Sequence, residues 1–205
     1  MSNEDIYYVN EHDEPTGETC EKYAAHHRHT KLHAAFSVYV FNSEGKLLVT
    51  QRAFSKKVWP EVWTNTCCGH PKPGESRVDA LKRRMQYELG AEVKDITVIL
   101  PHYTYKTPPY KGIIEHEYCP VFAARIASDI TSNPSEVEAY AWVDWNDFVR
   151  AVEQDDATNA SRREWMKKIP VGEYRELGIW SWWCKDQVKR LKSAASLCKY
   201  TAKTQ

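Results

Sequence analysis

The residues best suited to chemistry lie in one short segment, residues 67–75, which reads Cys-Cys-Gly-His-Pro-Lys-Pro-Gly-Glu. The segment leaves a predicted strand, passes through glycine and proline, and enters a predicted helix. Loops in this position present side chains without burying them. The segment is therefore the first candidate for a functional site.

The spacing around this loop matches a known framework. Gly69 is followed after five residues by Glu75 and after seven more by Arg83, and then come Glu88 and Gly90. This is the framework of the Nudix box, G-x5-E-x7-R-E-U-x-E-E-x-G-U, in which U is aliphatic. Positions four apart lie on the same side of a helix, so the box presents its carboxylates jointly to a metal–diphosphate.

The box in this chain is depleted in carboxylates. Arg84 and Tyr87 occupy two of the three positions where the box has Glu, and Glu88 alone remains. A carboxylate-poor site still holds one Mg²⁺ bridged to a diphosphate, but it is poorly equipped to gather several ions and activate water. The expected chemistry is diphosphate binding without diphosphate cleavage.

Together with this variant box, four further stretches resemble the type I isopentenyl-diphosphate isomerases, which are enzymes of the Nudix fold. The stretches are Glu21-Lys-Tyr-Ala-Ala-His26 through Lys31-Leu-His33, Ser55-Lys-Lys-Val-Trp59-Pro60, Trp63-Thr-Asn-Thr-Cys-Cys68-Gly-His70-Pro71 and Gly112-Ile-Ile-Glu115-His-Glu117. The resemblance runs from about Tyr7 to Trp145. It implies isomerisation of isopentenyl diphosphate to dimethylallyl diphosphate through a tertiary carbocation, by addition of one proton and removal of another.

The resemblance also implies two ion sites. One is a metal centre of three imidazoles and two carboxylates, from His26, His33, His70, Glu115 and Glu117. This mixed donor set suits Zn²⁺ or Mn²⁺ more readily than Mg²⁺. The other is a Mg²⁺ that arrives with the diphosphate and is held by Glu88.

The catalytic residues that the resemblance implies are Cys68 and Glu117 as the opposed acid/base pair, with Tyr105 hydrogen-bonded to the carboxylate. Strand alternation gives Cys68 the parity of His70, so Cys67 is expected to pack into the sheet. Alternation also places the two carboxylates of Glu115-His-Glu117 on one face of a strand.

An aromatic side chain from the C-terminal part is expected over the carbon skeleton of the substrate. Trp183 is the best match, and Trp180 and Trp182 stay open as alternatives because the local sequence departs from the family's usual Pro-Trp form. Tyr105 has a simpler alternative too, as a cross-strand aromatic residue.

For the anionic end of the substrate, the family's diphosphate contacts correspond to four cationic residues, Lys22, Arg52, Lys56 and Arg84. Charge-assisted hydrogen bonds to phosphate favour such side chains. The alternative for each is a solvated surface charge, and Arg84 with Glu88 would then be a helix-surface ion pair. Arg83 is expected to brace the loop rather than touch substrate.

The elements that position these residues are predicted from hydrophobic patterning and turn residues. Residues 34–42 and 47–51 form a hairpin around the turn 43–45, since a turn-forming cluster with glycine separates two apolar runs. Further strands are predicted at 62–67, 93–100, 102–107, 116–126 and 139–144. Pro120 indicates an edge or a bulge in one of them.

Helices are predicted around and after the box. Ser76 and Asp79 form a capping box for a helix over 78–89, and Gly90 stands at its C-terminal cap. Further helices are predicted at 145–153, roughly 161–168 and 179–197. The fold class is α+β: a Nudix-type mixed β-sheet with a central box helix, followed by a C-terminal helical extension.

Length and composition set the frame. The 205 residues indicate one domain, residues 1–205, with its core at about 33–145 and a helical tail at about 146–205. Lys plus Arg and Asp plus Glu number 28 each, so no net charge draws the chain to nucleic acid or an anionic membrane. We expect a monomer or weak dimer.

Several patterns bear on location and on rival functions. No apolar run approaches the ~20 residues that span a bilayer. No export signal is visible, and six cysteines in a chain without an export signal indicate free thiols. A cytoplasmic location is therefore expected. The rivals to an isomerase are a Nudix diphosphohydrolase, a non-catalytic ligand-binding domain and a Cys-His hydrolase. The depleted box and the coincidence of thiol, carboxylates and imidazoles argue against them.

Overall fold

The computed structural model describes residues 5–27, 29–109, 113–155 and 180–203. Its strands are β1 (Asp5–Val9), β2 (Pro15–Glu21), β3 (His33–Ala34), β4 (Phe36–Phe41), β5 (Leu47–Arg52), β6 (Trp63–Thr64), β7 (Cys67–Gly69), β8 (Val93–Leu100), β9 (Thr104–Lys106), β10 (His116–Tyr118), β11 (Val121–Ile126) and β12 (Val137–Val143). Its helices are α1 (Lys22–Ala25), α2 (Arg77–Leu89), α3 (Trp145–Gln154), α4 (Trp182–Leu191) and α5 (Cys198–Thr201), with a 3₁₀ turn at Ala195–Leu197. The predicted α+β class is confirmed.

A seven-stranded mixed sheet forms the centre of the molecule. Its strand order is β12-β5-β4-β11-β8, with β6 paired to β5 and β7 paired to β4. Every residue of β4 is buried because both faces of the strand are covered. Phe36 and Val38 pack with Leu81 and Met85 of α2, whereas Tyr39 packs on the other face, in a cluster that includes residues of α3 and α4.

A second sheet, of order β2-β1-β3-β10-β9, adjoins the first. Strand β3 leads into β4, and β10 leads into β11. Strands β3 and β10 form one parallel pair and β4 and β11 form a second, so two neighbouring segments pass together from one sheet to the other. His33 lies opposite Glu117 in the first pair, and Ser37 lies opposite Val121 in the second. This crossing brings distant segments together at the site described below.

The box helix and the first hairpin form as predicted. The Ser76 hydroxyl accepts the Asp79 amide at 3.1 Å, and Gly90 ends the helix with φ 57°. A Cβ at Gly90 would lie 2.8 Å from the Thr131 carbonyl oxygen, so the position requires glycine for both its conformation and its space. In the hairpin, Gly45 adopts φ 77° within the turn between β4 and β5.

The predicted continuous strand at 62–67 is wrong. The chain pairs with β5 at β6, crosses, and pairs with β4 at β7. Side chains replace the backbone ladder at the crossing: Thr66 Oγ1 donates to the Leu48 carbonyl at 2.6 Å and accepts the Val40 amide at 2.8 Å. These bonds satisfy buried backbone groups and let the chain change partners.

Two other strand predictions need correction. The predicted strand 116–126 is interrupted at Cys119 and Pro120, where the chain leaves one sheet for the other. The break, rather than an edge, accommodates the proline, since β11 has a neighbour on each side. Strands β1 and β2 were not predicted, because their acidic, turn-rich sequence lacks a clear alternation.

Among the later helices, α3 confirms the prediction at 145–153. The helix predicted at 179–197 is shorter: Trp180 forms a bridge with Trp63, and Ser181 caps α4 by accepting the Cys184 amide. The helix predicted at about 161–168 lies outside the described residues. Within the described residues, no helix has both the length and the apolar character that crossing a membrane requires.

Candidate active site

A cavity opens at the junction of the two sheets, beside the loop that follows β7. The proposed site residues line it, with the exception of His33, which is fully buried among them. These lining residues are Lys22, His26, Arg52, Lys56, Cys68, His70, Arg84, Glu88, Tyr105, Glu115, Glu117 and Trp183. Tyr23, Lys57 and Val58 add to the wall. Segments spread over most of the sequence thus converge on one space.

Four of the five proposed metal ligands form a tight group. One ligand atom each from His26, His33, His70 and Glu117 lies within 4.8 Å of the others, and the imidazole centroids are 5.2–5.5 Å apart. The register of β3 against β10 sets His33 beside Glu117. His26 follows α1, and His70 follows β7.

Backbone hydrogen bonds orient two of these imidazoles. Nδ1 of His26 donates to the Lys22 carbonyl at 2.6 Å, and Nδ1 of His33 donates to the Lys31 carbonyl at 3.0 Å. In both rings this leaves the Nε2 lone pair available. A backbone partner on the far nitrogen is the usual support of a metal-ligating histidine.

The group contains polar atoms that the protein itself does not satisfy. Nε2 of His33 and Nδ1 of His70 are buried and lack hydrogen-bond partners, while Nε2 of His70 lies 3.0 Å from Glu117 Oε1. Buried unsatisfied nitrogens call for a further partner such as an ion. The three imidazoles and one carboxylate fit a divalent cation.

The electrostatics agree with this fit. Burial lowers the pKa of His26 to about 3 and that of His70 to about 4, so both rings are neutral at physiological pH. Burial opposes ionisation of Glu117, but His70 and His33 outweigh it and hold the Glu117 pKa well below its usual range. Burial also lowers the pKa of His33, but Glu117 outweighs burial and raises it above its ordinary value. Neutral imidazoles and an ionised carboxylate are the forms that bind metals, so His26, His70 and Glu117 are already in the binding form.

Glu115 is not a member of the four-residue group in the structure. It lies beside Glu117 and shares a partner with it: the Tyr105 hydroxyl is 2.7 Å from Glu117 Oε2 and 3.3 Å from Glu115 Oε2. Burial, with a smaller contribution from Glu117, raises the pKa of Glu115 to about 7. The structure thus brings Tyr105 and both carboxylates together and gives the two carboxylates different affinities for a proton.

The two adjacent cysteines lie on opposite faces. Cys67 packs with residues of α2, whereas Cys68 lines the cavity. The Cys68 sulfur lies 3.2 Å from Ser37 Oγ and 3.3 Å from Asn65 Oδ1. Burial raises the pKa of Cys68 to about 12, so the thiol is protonated at neutral pH.

Three of the four proposed diphosphate contacts are bonded to carboxylates or carbonyls of the protein. Arg84 is buried and bonds Glu88 at 2.6 Å and Glu136 at 3.0 Å. The alternative of a helix-surface ion pair with Glu88 is therefore wrong in one respect, because the pair is buried. Lys56 also pairs with Glu136. Arg52 donates to the carbonyls of residues 58 and 59 at 2.8 and 2.9 Å.

Glu136 is the residue that sequence reasoning missed here. It directly precedes β12 and bridges two of the proposed diphosphate contacts, and nothing in the local sequence distinguishes it from other acidic residues. Arg83 braces the loop as expected, because it bonds both Glu75 oxygens at 2.7 Å and the His70 carbonyl at 3.1 Å.

The three candidate tryptophans have different surroundings. Trp183 lines the cavity, and its Nε1 donates to Thr64 at 2.9 Å. Trp180 is buried against Trp63 in the core. Trp182 stacks on Tyr105 with centroids 5.9 Å apart. Of the three, only Trp183 lines the cavity.

Comparisons with known proteins show the family of the chain. The family model of the NUDIX domain matches residues 31–169 of the sequence. Proteins of Salmonella heidelberg (strain SL476) and Salmonella dublin named "Isopentenyl-diphosphate Delta-isomerase" are 50% identical over 142 residues, which cover 69% of this chain and 78% of theirs. In fold, the chain is similar to the crystal structure of DR0079 from Deinococcus radiodurans, with a TM-score of 0.57 and 19% identity over 84% of this chain and 100% of that one. The chain belongs to the NUDIX domain family and, within it, to the isopentenyl-diphosphate Delta-isomerases.

Proposed function

We propose that the chain converts isopentenyl diphosphate into dimethylallyl diphosphate. The observation that carries this proposal is the meeting of a protonated thiol, Cys68, and a tyrosine-bonded carboxylate, Glu117, in a cavity that four cationic side chains also line. The thiol and the carboxylate suit a carbon skeleton that exchanges protons. The cationic side chains suit a diphosphate. The curated relatives carry the matching name.

Four cationic side chains that line the cavity bind the diphosphate. Lys22, Arg52, Lys56 and Arg84 come from three segments, and their charges are opposite in sign to that of the substrate. A Mg²⁺ carried in by the diphosphate would take Glu88 as its protein ligand. Because Arg84 and Tyr87 replace two carboxylates of the box, the diphosphate is held without activation of water.

The proton transfers belong to Cys68 and Glu117. One member of the pair adds a proton to the terminal methylene carbon, which leaves a tertiary cation. The other removes a proton from the carbon next to CH₂O, so that only the position of the double bond changes. Tyr105 holds the Glu117 carboxylate through its hydrogen bond of 2.7 Å.

The metal group supports the same carboxylate. A divalent ion held by His26, His33, His70 and Glu117, with Zn²⁺ or Mn²⁺ favoured over Mg²⁺ by the imidazole donors, would fix Glu117 and tune its acidity. Trp183 presents its ring to the cavity, where the quadrupole of an indole stabilises a carbocation. Exclusion of water by the Trp183 ring prevents capture of the cation as an alcohol.

Incubation with isopentenyl diphosphate and Mg²⁺ tests the proposal, with allylic product and released phosphate measured separately. We expect allylic product with negligible phosphate release, and loss of activity after strong chelation. Efficient phosphate release would instead favour a Nudix diphosphohydrolase. Near-normal isomerisation by Glu117→Gln would show that the proton-transfer pair is assigned wrongly.

A further inference from the structure

A chain of buried polar groups runs from the C-terminal helix to the thiol. The Tyr39 hydroxyl donates to Oε1 of Gln187 at 3.0 Å, and Nε2 of Gln187 donates to Ser37 Oγ at 2.9 Å. Ser37 Oγ in turn lies 3.2 Å from the Cys68 sulfur and 3.4 Å from that of Cys119. Three segments distant in sequence supply the chain: β4, β7 and α4.

The Tyr39–Gln187 bond sets the hydrogen-bond directions as far as Ser37. Because the Gln187 oxygen accepts from Tyr39, its NH₂ group faces Ser37. Ser37 accepts that bond and keeps its own proton, which the sulfur of Cys68 at 3.2 Å or that of Cys119 at 3.4 Å can accept. On the other side of the thiol, the Asn65 NH₂ group bonds the Val38 and Cys67 carbonyls at 3.0 and 3.1 Å, so its oxygen faces Cys68 as an acceptor.

Packing alone does not account for these groups. Gln187, Ser37 and Tyr39 are 0–1% exposed and lie on the face of the sheet covered by apolar residues of α3 and α4. Burying an amide and two hydroxyls costs desolvation that apolar side chains of the same size would avoid. The bonds the three groups make lead to the sulfurs of Cys68 and Cys119, of which that of Cys68 lines the cavity.

We infer that Gln187, acting through Ser37, is a positioning residue that holds the Cys68 sulfur in its reactive orientation. This inference rests on the proposed function, and it names the link between the C-terminal helix and the chemistry. Helix α4 carries both Gln187 and Trp183. Docking of this one helix therefore determines the positions of both the Cys68 thiol and the Trp183 ring.

The test substitutes Gln187→Met, which keeps side-chain length and removes the amide, and Ser37→Ala. For each we expect kcat to fall about tenfold, as loss of a hydrogen bond to a reacting group does. KM should stay within about twofold, because neither substitution changes the four cationic side chains proposed to bind the diphosphate. The double variant is expected to lose no more than Ser37→Ala alone, since the two residues act in series.

The control is Asp186→Ala, one residue away on α4. Asp186 anchors the helix by accepting from Tyr103 at 2.9 Å and makes no bond in the chain that reaches the thiol. It should lower the melting temperature and keep kcat. If Asp186→Ala lowers kcat as much as Gln187→Met, or if the two effects on kcat of Gln187→Met and Ser37→Ala are additive, the positioning role is wrong.

The S–H stretching band gives a readout independent of activity. A difference infrared spectrum against Cys68→Ala isolates the band of this thiol. We expect the band to shift in Gln187→Met and Ser37→Ala and to stay in place in Asp186→Ala. An unshifted band in Gln187→Met would overturn the inference even in an active enzyme. If the wild type does not isomerise its substrate, the proposed function fails, and the band still decides whether Gln187 orients the thiol.

Discussion

Cys67 and Cys68 show how one position along a strand decides between packing and chemistry. The two side chains are chemically identical and have different surroundings: Cys67 lies against α2, and Cys68 reaches the cavity. The family resemblance pointed to Cys68, and strand alternation agreed with it, because Cys68 shares the parity of His70. Ser37 and Asn65, which contact the Cys68 sulfur, were not apparent in the sequence.

Substitution of the two thiols should therefore give different results. Cys68→Ala is expected to lower isomerisation by 10²–10⁴-fold, the usual cost of losing a positioned acid/base group. Cys67→Ser should cost some stability, because a hydroxyl is buried among apolar residues, and should keep turnover. The measurement is kcat on folded, metal-loaded protein. Retained activity in Cys68→Ala would mean that the catalytic thiol is assigned wrongly.

Arg84 combines a binding role with a structural one. Arg84→Ala is expected to raise KM, because a diphosphate contact is lost. It should also lower the free energy of unfolding by about 3–5 kcal/mol, since Glu88 loses its buried partner. Kinetics and denaturant unfolding measure the two effects. Exposed Arg150, which pairs with Asp147, offers the control, and Arg150→Ala should change neither by a comparable amount. A surface role for Arg84 would give a small stability change.

At the scale of elements, the sequence predicted best where the signal is local. The capping box and glycine stop of α2 and the hairpin turn between β4 and β5 depend on residues close together in the chain. The crossing at residues 65–66 does not, because the bonds of Thr66 reach Val40 and Leu48. Alternation cannot reveal a strand that changes partners partway.

Thr66→Val tests this account of the crossing. The substitution keeps the shape of the side chain and leaves a buried amide and a buried carbonyl without their partner. We expect the free energy of unfolding to fall by about 2–3 kcal/mol. Thr97→Val is the matched control, since Thr97 is also in a strand and its hydroxyl bonds only the exposed Lys199 among the described contacts. The free energy of unfolding of this variant should change by less than about 0.5 kcal/mol. Equal effects in the two variants would contradict the crossing.

The site follows the same division between local and distant signals. The proposed ligands and acid/base residues came from the resemblance, which covers their motifs. Glu136 and Gln187 lie outside those motifs, and their roles come from contacts with segments 52 or more residues away. Such pairings depend on the topology of two sheets and a docked helix, which single-sequence patterns do not specify.

At the scale of the whole molecule, the buried imidazoles couple stability to pH. The pKa of His26 is about 3 and that of His70 about 4 when folded, against 6.5 for the ordinary group. As pH falls below 6.5, the unfolded chain binds these protons before the folded one, so the free energy of unfolding decreases. His33, whose pKa is raised because Glu117 outweighs its burial, and Glu115, whose pKa is raised to about 7, bind their protons earlier in the folded state and offset part of the loss.

We therefore expect ion-free protein to lose stability gradually below about pH 6.5. The loss should become steep below pH 4.5, the ordinary pKa of a glutamate, because Glu117 and Glu136 have lowered pKa values in the folded state and resist protonation there. Urea unfolding in chelator across this range measures the slope. His26→Gln should flatten the first part of the curve, and the exposed His12→Gln should leave it unchanged. Stability that is constant or rises as the pH is lowered would contradict the assigned burial.

The most direct test of the central claim is one reaction in D₂O with isopentenyl diphosphate and Mg²⁺, followed by proton and phosphorus NMR. The account predicts dimethylallyl diphosphate that carries deuterium in the methyl group formed from the terminal methylene, with the diphosphate intact. Released phosphate or diphosphate with no deuterium bound to carbon would contradict it and identify the cavity as a hydrolase site.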